Sequence, residues 1–277
     1  MHSRQLRAVY GWDSGLTRQT NEDSILCVHF DITTHAGSLS AGLFAVADGM
    51  GGHNAGEIAS DIAVKCLAAY CIPALTSNTG RDPLSILAAA YRETNNAVLA
   101  HAGNDDFRGM GTTLTTAVII GSDIFMGHIG DSRCYIINDR EIIQITKDHS
   151  TVQLLVDEGI ITREQAWNHP HKNEITRVIG LNDETEPDFH HLKLYSGDTI
   201  LLCSDGLCGV LPTDIIAATI RNAPGLQEAC DTLIQQANTS GGPDNISVII
   251  VQPDNLPSWR AVIESQTFVR SINVECD

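Results

Sequence analysis

Apolar and polar positions along the chain change their period several times, and the changes mark out its elements. Short runs rich in apolar and β-branched residues cover 6–10, 24–30 and 42–47, as strands do. Two longer stretches, 55–70 and 83–102, repeat apolar residues at helical spacing. Pro83 suits a first helical turn, where a missing N–H costs nothing. Between them, T-S-N-T-G-R-D is turn chemistry. The segment T-T-L-T-T-A-V-I-I-G-S-D-I-F-M-G-H-I-G-D reads as two strands bent at Gly121-Ser122. Residues 134–137 and 141–146 read as a second hairpin around Asn138-Asp139. Short helices fit 151–158 and 163–168. A third hairpin is expected from 190–195 and 199–204, folded at Ser196-Gly197-Asp198. Helices over 214–222 and 225–238 follow, then a β-branched strand over 245–252.

The regular β-α alternation of a parallel sheet is absent from this order. Hairpins with grouped helices predict the α+β class, antiparallel sheets covered by helices. The chain shows no internal repeat and no low-complexity linker, so residues 1–252 are expected to form a single domain. Residues 253–277 then form a C-terminal extension of unassigned role. Its W-R-A-V-I-E and T-F-V-R-S-I-N-V have the composition of extra strands.

Composition narrows the setting. The 277 residues are 43% hydrophobic and 18% charged, which is ordinary for a globular protein. With 17 Lys and Arg against 34 Asp and Glu, the net charge of −17 repels nucleic-acid phosphates and excludes that class of partner. No apolar stretch reads as long enough to cross a bilayer, because Lys65 interrupts the most apolar helix. The first residues, M-H-S-R-Q-L-R-A-V-Y-G-W-D, lack the apolar core of a signal peptide. A cytoplasmic protein with no membrane partner is therefore expected. None of the eight cysteines forms a C-x-x-C pair, so they read as buried free thiols rather than zinc ligands.

The acidic residues carry the chemistry. Asp23, Asp48, Asp131, Asp205 and Asp244 each flank a predicted strand, beside glycine or in a turn. Each alone is ordinary turn composition. Together they predict one acidic rim, and converging carboxylates cannot all ionise without cations between them. Hard divalent ions such as Mg²⁺ and Mn²⁺ prefer such oxygen ligands, and a bridged pair of them makes a hydrolytic site. Arg18 is a candidate anion clamp, because guanidinium matches phosphate in a bidentate way.

The motifs R-Q-T-N-E-D, A-D-G-M-G-G-H, G-M-G-T-T, G-D-S-R, D-H-S, T-R-V-I-G, S-D-G-L and G-G-P-D-N follow one another in this order. Together, over about residues 11–251, they resemble the metal-dependent Ser/Thr protein phosphatase (PPM) family, most closely its compact bacterial members. The resemblance implies two stacked antiparallel sheets flanked by helix pairs. It implies two Mn²⁺ or Mg²⁺ ions, with Asp48 bridging them and the Gly49 carbonyl on one. Asp205 and Asp244 would hold the other ion, Glu22 would act through water, and Asp23 would stand behind the ligands. Asp131 matches the position for a third, weaker ion. Arg18 would hold the substrate phosphate and Asn245 would orient water. Residues 150–180 would form a flap beside the site. The implied partners are phosphorylated proteins and a cognate Hanks-type Ser/Thr kinase, with the chain acting as a monomer.

Two features depart from simple expectation. Met50 stands where many relatives in eukaryotes carry a general-acid histidine directly after the D-G pair. His53, three residues later, is the alternative proton donor, and a local structural role fits it better. Cys203 and Cys208 flank Asp205, but neither has the C-x₅-R spacing of a cysteine-dependent phosphatase. A catalytically weak phosphoprotein-binding regulator is the rival within the fold. The presence of Asp48, Asp205 and Asp244 argues against it.

Overall fold

Continuous apolar, β-branched-rich runs form the central strands, and the segments 114–120, 199–203 and 246–253 are buried on both faces almost throughout. The computed structural model describes residues 6–34, 37–51, 55–77, 80–103, 107, 109–258 and 271–272. β1 (Leu6–Asp13), β11 (Ile246–Pro253), β10 (Thr199–Cys203), β7 (Arg133–Ile137) and β8 (Ile142–Gln144) form the smaller sheet in that spatial order. The larger sheet runs β12 (Ser271–Ile272), β9 (Asp188–Lys193), β6 (Asp123–Ile129), β5 (Leu114–Ile120), β3 (Gly37–Met50), β2 (Asp23–Thr34). β4 (Gly111–Thr112) pairs with the far end of β3. All these pairings are antiparallel.

Period-two alternation sorts the side chains into layers. On β3, Phe44 and Val46 point between the sheets, whereas Leu43, Ala45 and Ala47 point to the helices outside. On β10, Ile200 and Leu202 face the other sheet, and Leu201 and Cys203 face outward. The helices α1 (Ala55–Thr76) and α2 (Pro83–Ala102) cover the larger sheet. The pair α6 (Thr213–Asn222) and α7 (Leu226–Thr239) covers the smaller one. The result is the expected α-β-β-α sandwich. On α1, Ala59, Ala63, Leu67 and Cys71 recur every four residues and are fully buried. α2 begins on Asp82, whose carboxylate accepts from the Ser85 N–H at 3.0 Å, with Pro83 in the first turn.

Three expectations change. The predicted third hairpin does not form: β9 lies in the larger sheet and β10 in the smaller. Its turn exists, with Asp198 accepting from Tyr195 N–H at 2.8 Å, but it carries the chain between layers. Turn residues specify a bend, not which edge the next strand joins. β3 is also much longer than 42–47, because β2 pairs with it from Gly37 to Asp48 and β4 extends the pairing through Gly49 and Met50. Finally, α1 is by length and composition apolar enough to cross a membrane. Lys65 does not interrupt it, since it pairs with Asp61 at 2.7 Å on the exposed face. In this fold α1 is a core helix.

After β11 the chain stays on the domain. Leu256 packs between the sheets, and Ser196 N–H donates to the Pro257 carbonyl at 3.0 Å. The stretch W-R-A-V-I-E lies outside the described residues, whereas Ser271–Ile272 adds an edge strand to β9.

Candidate active site

The five aspartates meet at one rim of the sandwich because strands from both sheets end there. Asp23 opens β2 and pairs with Asp48 on β3. Asp131 follows β6, Asp205 follows β10 as the first residue of the short helix α5 (Asp205–Cys208), and Asp244 precedes β11. Ser204 ties the sheets together: its Oγ donates to Asp23 Oδ2 at 2.8 Å and accepts from Ser247 N–H at 2.9 Å.

Their electrostatics show mutual repulsion. Burial, then the charges of Asp23, Asp205, Asp131 and Asp244, raise the Asp48 carboxyl well above its usual range. Burial and then Asp205 do the same to Asp131. Asp205 is pushed up to about 6 by burial and Asp244. Burial pushes Asp23 to about 7 against the hydrogen bonding that opposes it. Buried oxygens of Asp23, Asp131 and Asp205 (Oδ1 of each) have no hydrogen-bond partner. Unpaired buried carboxylate oxygens are costly, and a hard cation is the group that fits an all-oxygen donor set. Among the described residues, no three His, Cys, Asp or Glu side chains form a ready cage around one point. An ion here would complete its shell with water and backbone oxygen, as Mg²⁺ commonly does.

The backbone around Asp48 is held firmly. Its N–H donates to Thr113 Oγ1 at 3.0 Å, and its carbonyl accepts from Thr113 N–H at 2.8 Å and Thr112 Oγ1 at 2.9 Å. Gly49 is required by close approach: a Cβ there would stand 2.1 Å from the Gly56 carbonyl oxygen of α1 and 2.6 Å from that of Glu22. Gly49 N–H donates to the Glu22 carbonyl at 3.1 Å. Glu22 is thereby brought beside the first turn of α1, and its carboxyl is raised by burial. Gly51 adopts φ +147° as the chain leaves β3. His53 and Gly52 lie outside the described residues.

Arg18 reaches the same rim, with Nη2 2.7 Å from Asp244 Oδ2. Its side chain is 48% exposed, so the pair is at the mouth of the site and weak in energy. Asn245 ties several backbone segments together. Its Nδ2 donates to the Ser14 and Thr20 carbonyls at 3.1 and 3.0 Å, and its Oδ1 accepts from Glu22 N–H at 2.8 Å. Both amide hydrogens are used in holding the Ser14–Glu22 segment.

Two flanking residues went unread in the sequence. Arg133 binds Asp148 in a bidentate pair, Nε to Oδ1 at 2.9 Å and Nη2 to Oδ2 at 2.6 Å, beside Asp131. The signal lay in G-D-S-R and D-H-S, whose charged partners are fifteen residues apart. From the first turn of α1, Glu57 acts on the Glu22 carboxyl.

Residues 19–248 match the family model described as Protein phosphatase 2C. The chain belongs to the protein phosphatase 2C family. The serine/threonine protein phosphatase PstP of Mycobacterium tuberculosis is 41% identical over 246 residues, 88% of this chain. The chain spans less than half, 44%, of that relative's length. The serine/threonine phosphatase stp of Listeria monocytogenes is 37% identical over 210 residues, 76% of this chain and 83% of the relative. The catalytic domain of PstP, solved in complex with two manganese ions, superposes with a TM-score of 0.77 at 39% identity. That match covers 90% of this chain and 99% of the solved one. The PPM resemblance and the sandwich fold are borne out, and the relatives that carry them are bacterial.

Proposed function

We propose that the chain is a metal-dependent protein phosphatase that hydrolyses phosphoserine and phosphothreonine esters with water. One observation carries the reading: a rim of buried, mutually repelling carboxylates that leaves oxygens of Asp23, Asp131 and Asp205 unpaired. Relatives named as serine/threonine phosphatases, and a neighbour titled with two manganese ions, support it.

In this reading Asp48 would be shared by two cations, the Gly49 carbonyl would serve one of them, and Asp205 and Asp244 would serve the other. Glu22 acts through water, Asp23 stands behind, and Asp131 offers a third, weaker position. Mn²⁺ or Mg²⁺, when bound, lowers the pKa of water toward neutrality and offsets phosphate charge. Arg18 exchanges Asp244 for two phosphate oxygens and orients the ester for in-line attack. Asn245, with its amide consumed, keeps Arg18 and Glu22 in place instead of orienting water. No cysteine serves as nucleophile: a hydrogen bond to Cys203, then burial, hold the Cys208 thiol protonated.

The partners follow as phosphorylated proteins and the Ser/Thr kinase that modifies them. We assign action as a monomer in the cytoplasm; the free thiols of all seven described cysteines fit a reducing compartment. Residues 1–252 are taken as the catalytic domain, with the flap over 150–180 hydrogen-bonded back through Thr176 N–H to the His149 carbonyl at 2.7 Å.

The test is hydrolysis of p-nitrophenyl phosphate with Mn²⁺, with EDTA, and by Asp48→Asn, followed by a phosphopeptide panel. Turnover that needs Mn²⁺ and Asp48 is expected. Equal turnover in EDTA refutes the proposal.

A further inference from the structure

Among the described residues, seven large hydrophobic side chains are exposed, and three of them share one groove: Tyr10 (55%), Trp12 (61%) and Leu16 (71%). Tyr10 and Trp12 are exposed alternate residues of β1, on the same face as Leu6 and Ala8, which pack against the inter-sheet core. β1 is an edge strand, paired only with β11 among the described strands. On the other side of the two aromatics lies a second groove that reaches across to β2, the edge of the larger sheet. Both grooves are open to solvent, with volumes of about 710 and 560 Å³. An exposed aromatic ridge between two free sheet edges is unusual for a surface without a partner.

The ridge adjoins the candidate active site. Leu16 is two residues before Arg18, and its N–H donates to the Gly242 carbonyl at 2.8 Å, on the loop that carries Asp244. At its inner end the second groove is lined by Asp23 and Ser247. Charge then distinguishes the possible occupants. Among the described residues, no Lys, Arg or His lines either groove, whereas Asp23, Glu57, Asp61 and Asp231 do. The groove on the flap side is mixed instead, with Arg133, Lys147, Arg163 and Lys172 set among Asp131, Asp148, Asp157 and Asp205.

We propose that the Tyr10–Trp12–Leu16 ridge docks an extended, lysine- or arginine-bearing segment of the phosphoprotein, beside the phosphorylated residue. The inference rests on the phosphatase reading and adds a substrate preference to it. Aromatic faces attract ammonium and guanidinium groups, and the nearby carboxylates reinforce that attraction. The free edges of β1 and β2 offer backbone donors and acceptors to an extended chain. Of the chain's own C-terminal segment, Ser271–Ile272 pairs with β9 at the edge of the larger sheet opposite β2.

The experiment compares two phosphothreonine peptides, one with flanking Lys and Arg and one with Gln in their place. Wild type, the Tyr10→Ala/Trp12→Ala double variant and Asp61→Asn/Asp231→Asn are assayed with Mn²⁺ at several salt concentrations. Wild type is expected to favour the basic peptide about fivefold or more through KM, the size of one or two exposed cation–π contacts. Both variants lose that preference and keep wild-type turnover of p-nitrophenyl phosphate. Equal KM for the two peptides in wild type overturns the proposal. So does an equal loss on both peptides in the variants. A wild-type dimer in sedimentation that the double variant dissolves also overturns it, as the ridge is then a self-contact. Absence of Mn²⁺-dependent aryl phosphate turnover in wild type removes the phosphatase reading, and this one with it.

Discussion

Asp23 and Asp48 occupy directly opposed positions on the β2–β3 ladder, and both are half-buried. Opposed like charges destabilise a ladder. The pair persists because the rest of the sandwich holds both strands, so the site stores repulsion that a cation relieves.

Asp48→Asn should therefore separate stability from activity. Removing one carboxylate from the cluster raises the Tm of the EDTA-treated protein by about 2–4 °C, the shift ~1 kcal/mol gives in a domain of this size. The same variant loses about a thousandfold in kcat, as for removal of a central electrostatic group. Calorimetry and steady-state assays check both. An apo Tm below wild type contradicts the stored repulsion.

Gly49→Ala tests close approach. The added methyl would meet backbone at Gly56 and Glu22, which cannot shift as a flexible side chain can. A loss of about 2–4 kcal/mol is expected from such overpacking, together with weaker Mn²⁺ binding. Urea unfolding and Mn²⁺ titration by calorimetry measure the two effects.

Asn245 makes a sharper distinction. Asn245→Asp keeps the shape and the acceptor for Glu22 N–H, but cannot donate to the Ser14 and Thr20 carbonyls. Both Asn245→Asp and Asn245→Ala should lower stability by about 1–3 kcal/mol, the cost of buried groups left unpaired. Displacement of Arg18 should raise KM for phosphopeptides more than it lowers kcat. A pure kcat effect with unchanged stability favours a role in orienting water.

The pH dependence of stability should reflect His128. It is fully buried, with Nδ1 2.9 Å from Thr115 Oγ1 and Nε2 3.0 Å from the Lys147 carbonyl. Burial, then neighbouring His149, lower its pKa to about 3. Between that value and the ordinary value near 6.5 the unfolded chain binds a proton that the folded chain does not. Stability therefore falls as pH falls through this window, by about 1.4 kcal/mol per pH unit for one group. His128→Phe should flatten the acid limb of the stability curve by about one proton. An unchanged slope assigns that limb to other groups.

Much of this molecule was legible from local pattern. α2 was read at its observed bounds, because Asp82, Pro83 and a helical period agree. The hairpins at Gly121 and Asn138 were read from turn residues between apolar runs. Asp23, Asp48, Asp131, Asp205 and Asp244 were singled out because each borders a strand. The third predicted hairpin failed, because Ser196-Gly197-Asp198 specifies a bend while strand partnership depends on layers.

The sequence by itself determined where most of the strands lie, the order of the carboxylates and the family. Those depend on residue types a few positions apart, where period and turn chemistry act. Only the tertiary structure decided that Gly49 exists to admit α1, that the Asn245 amide is spent on Ser14, Thr20 and Glu22, and that Arg133 pairs with Asp148. It also placed Tyr10, Trp12 and Leu16 on an acidic-walled ridge next to Arg18. These relationships arise where distant segments pack, and packing depends on distances between segments that no local period encodes.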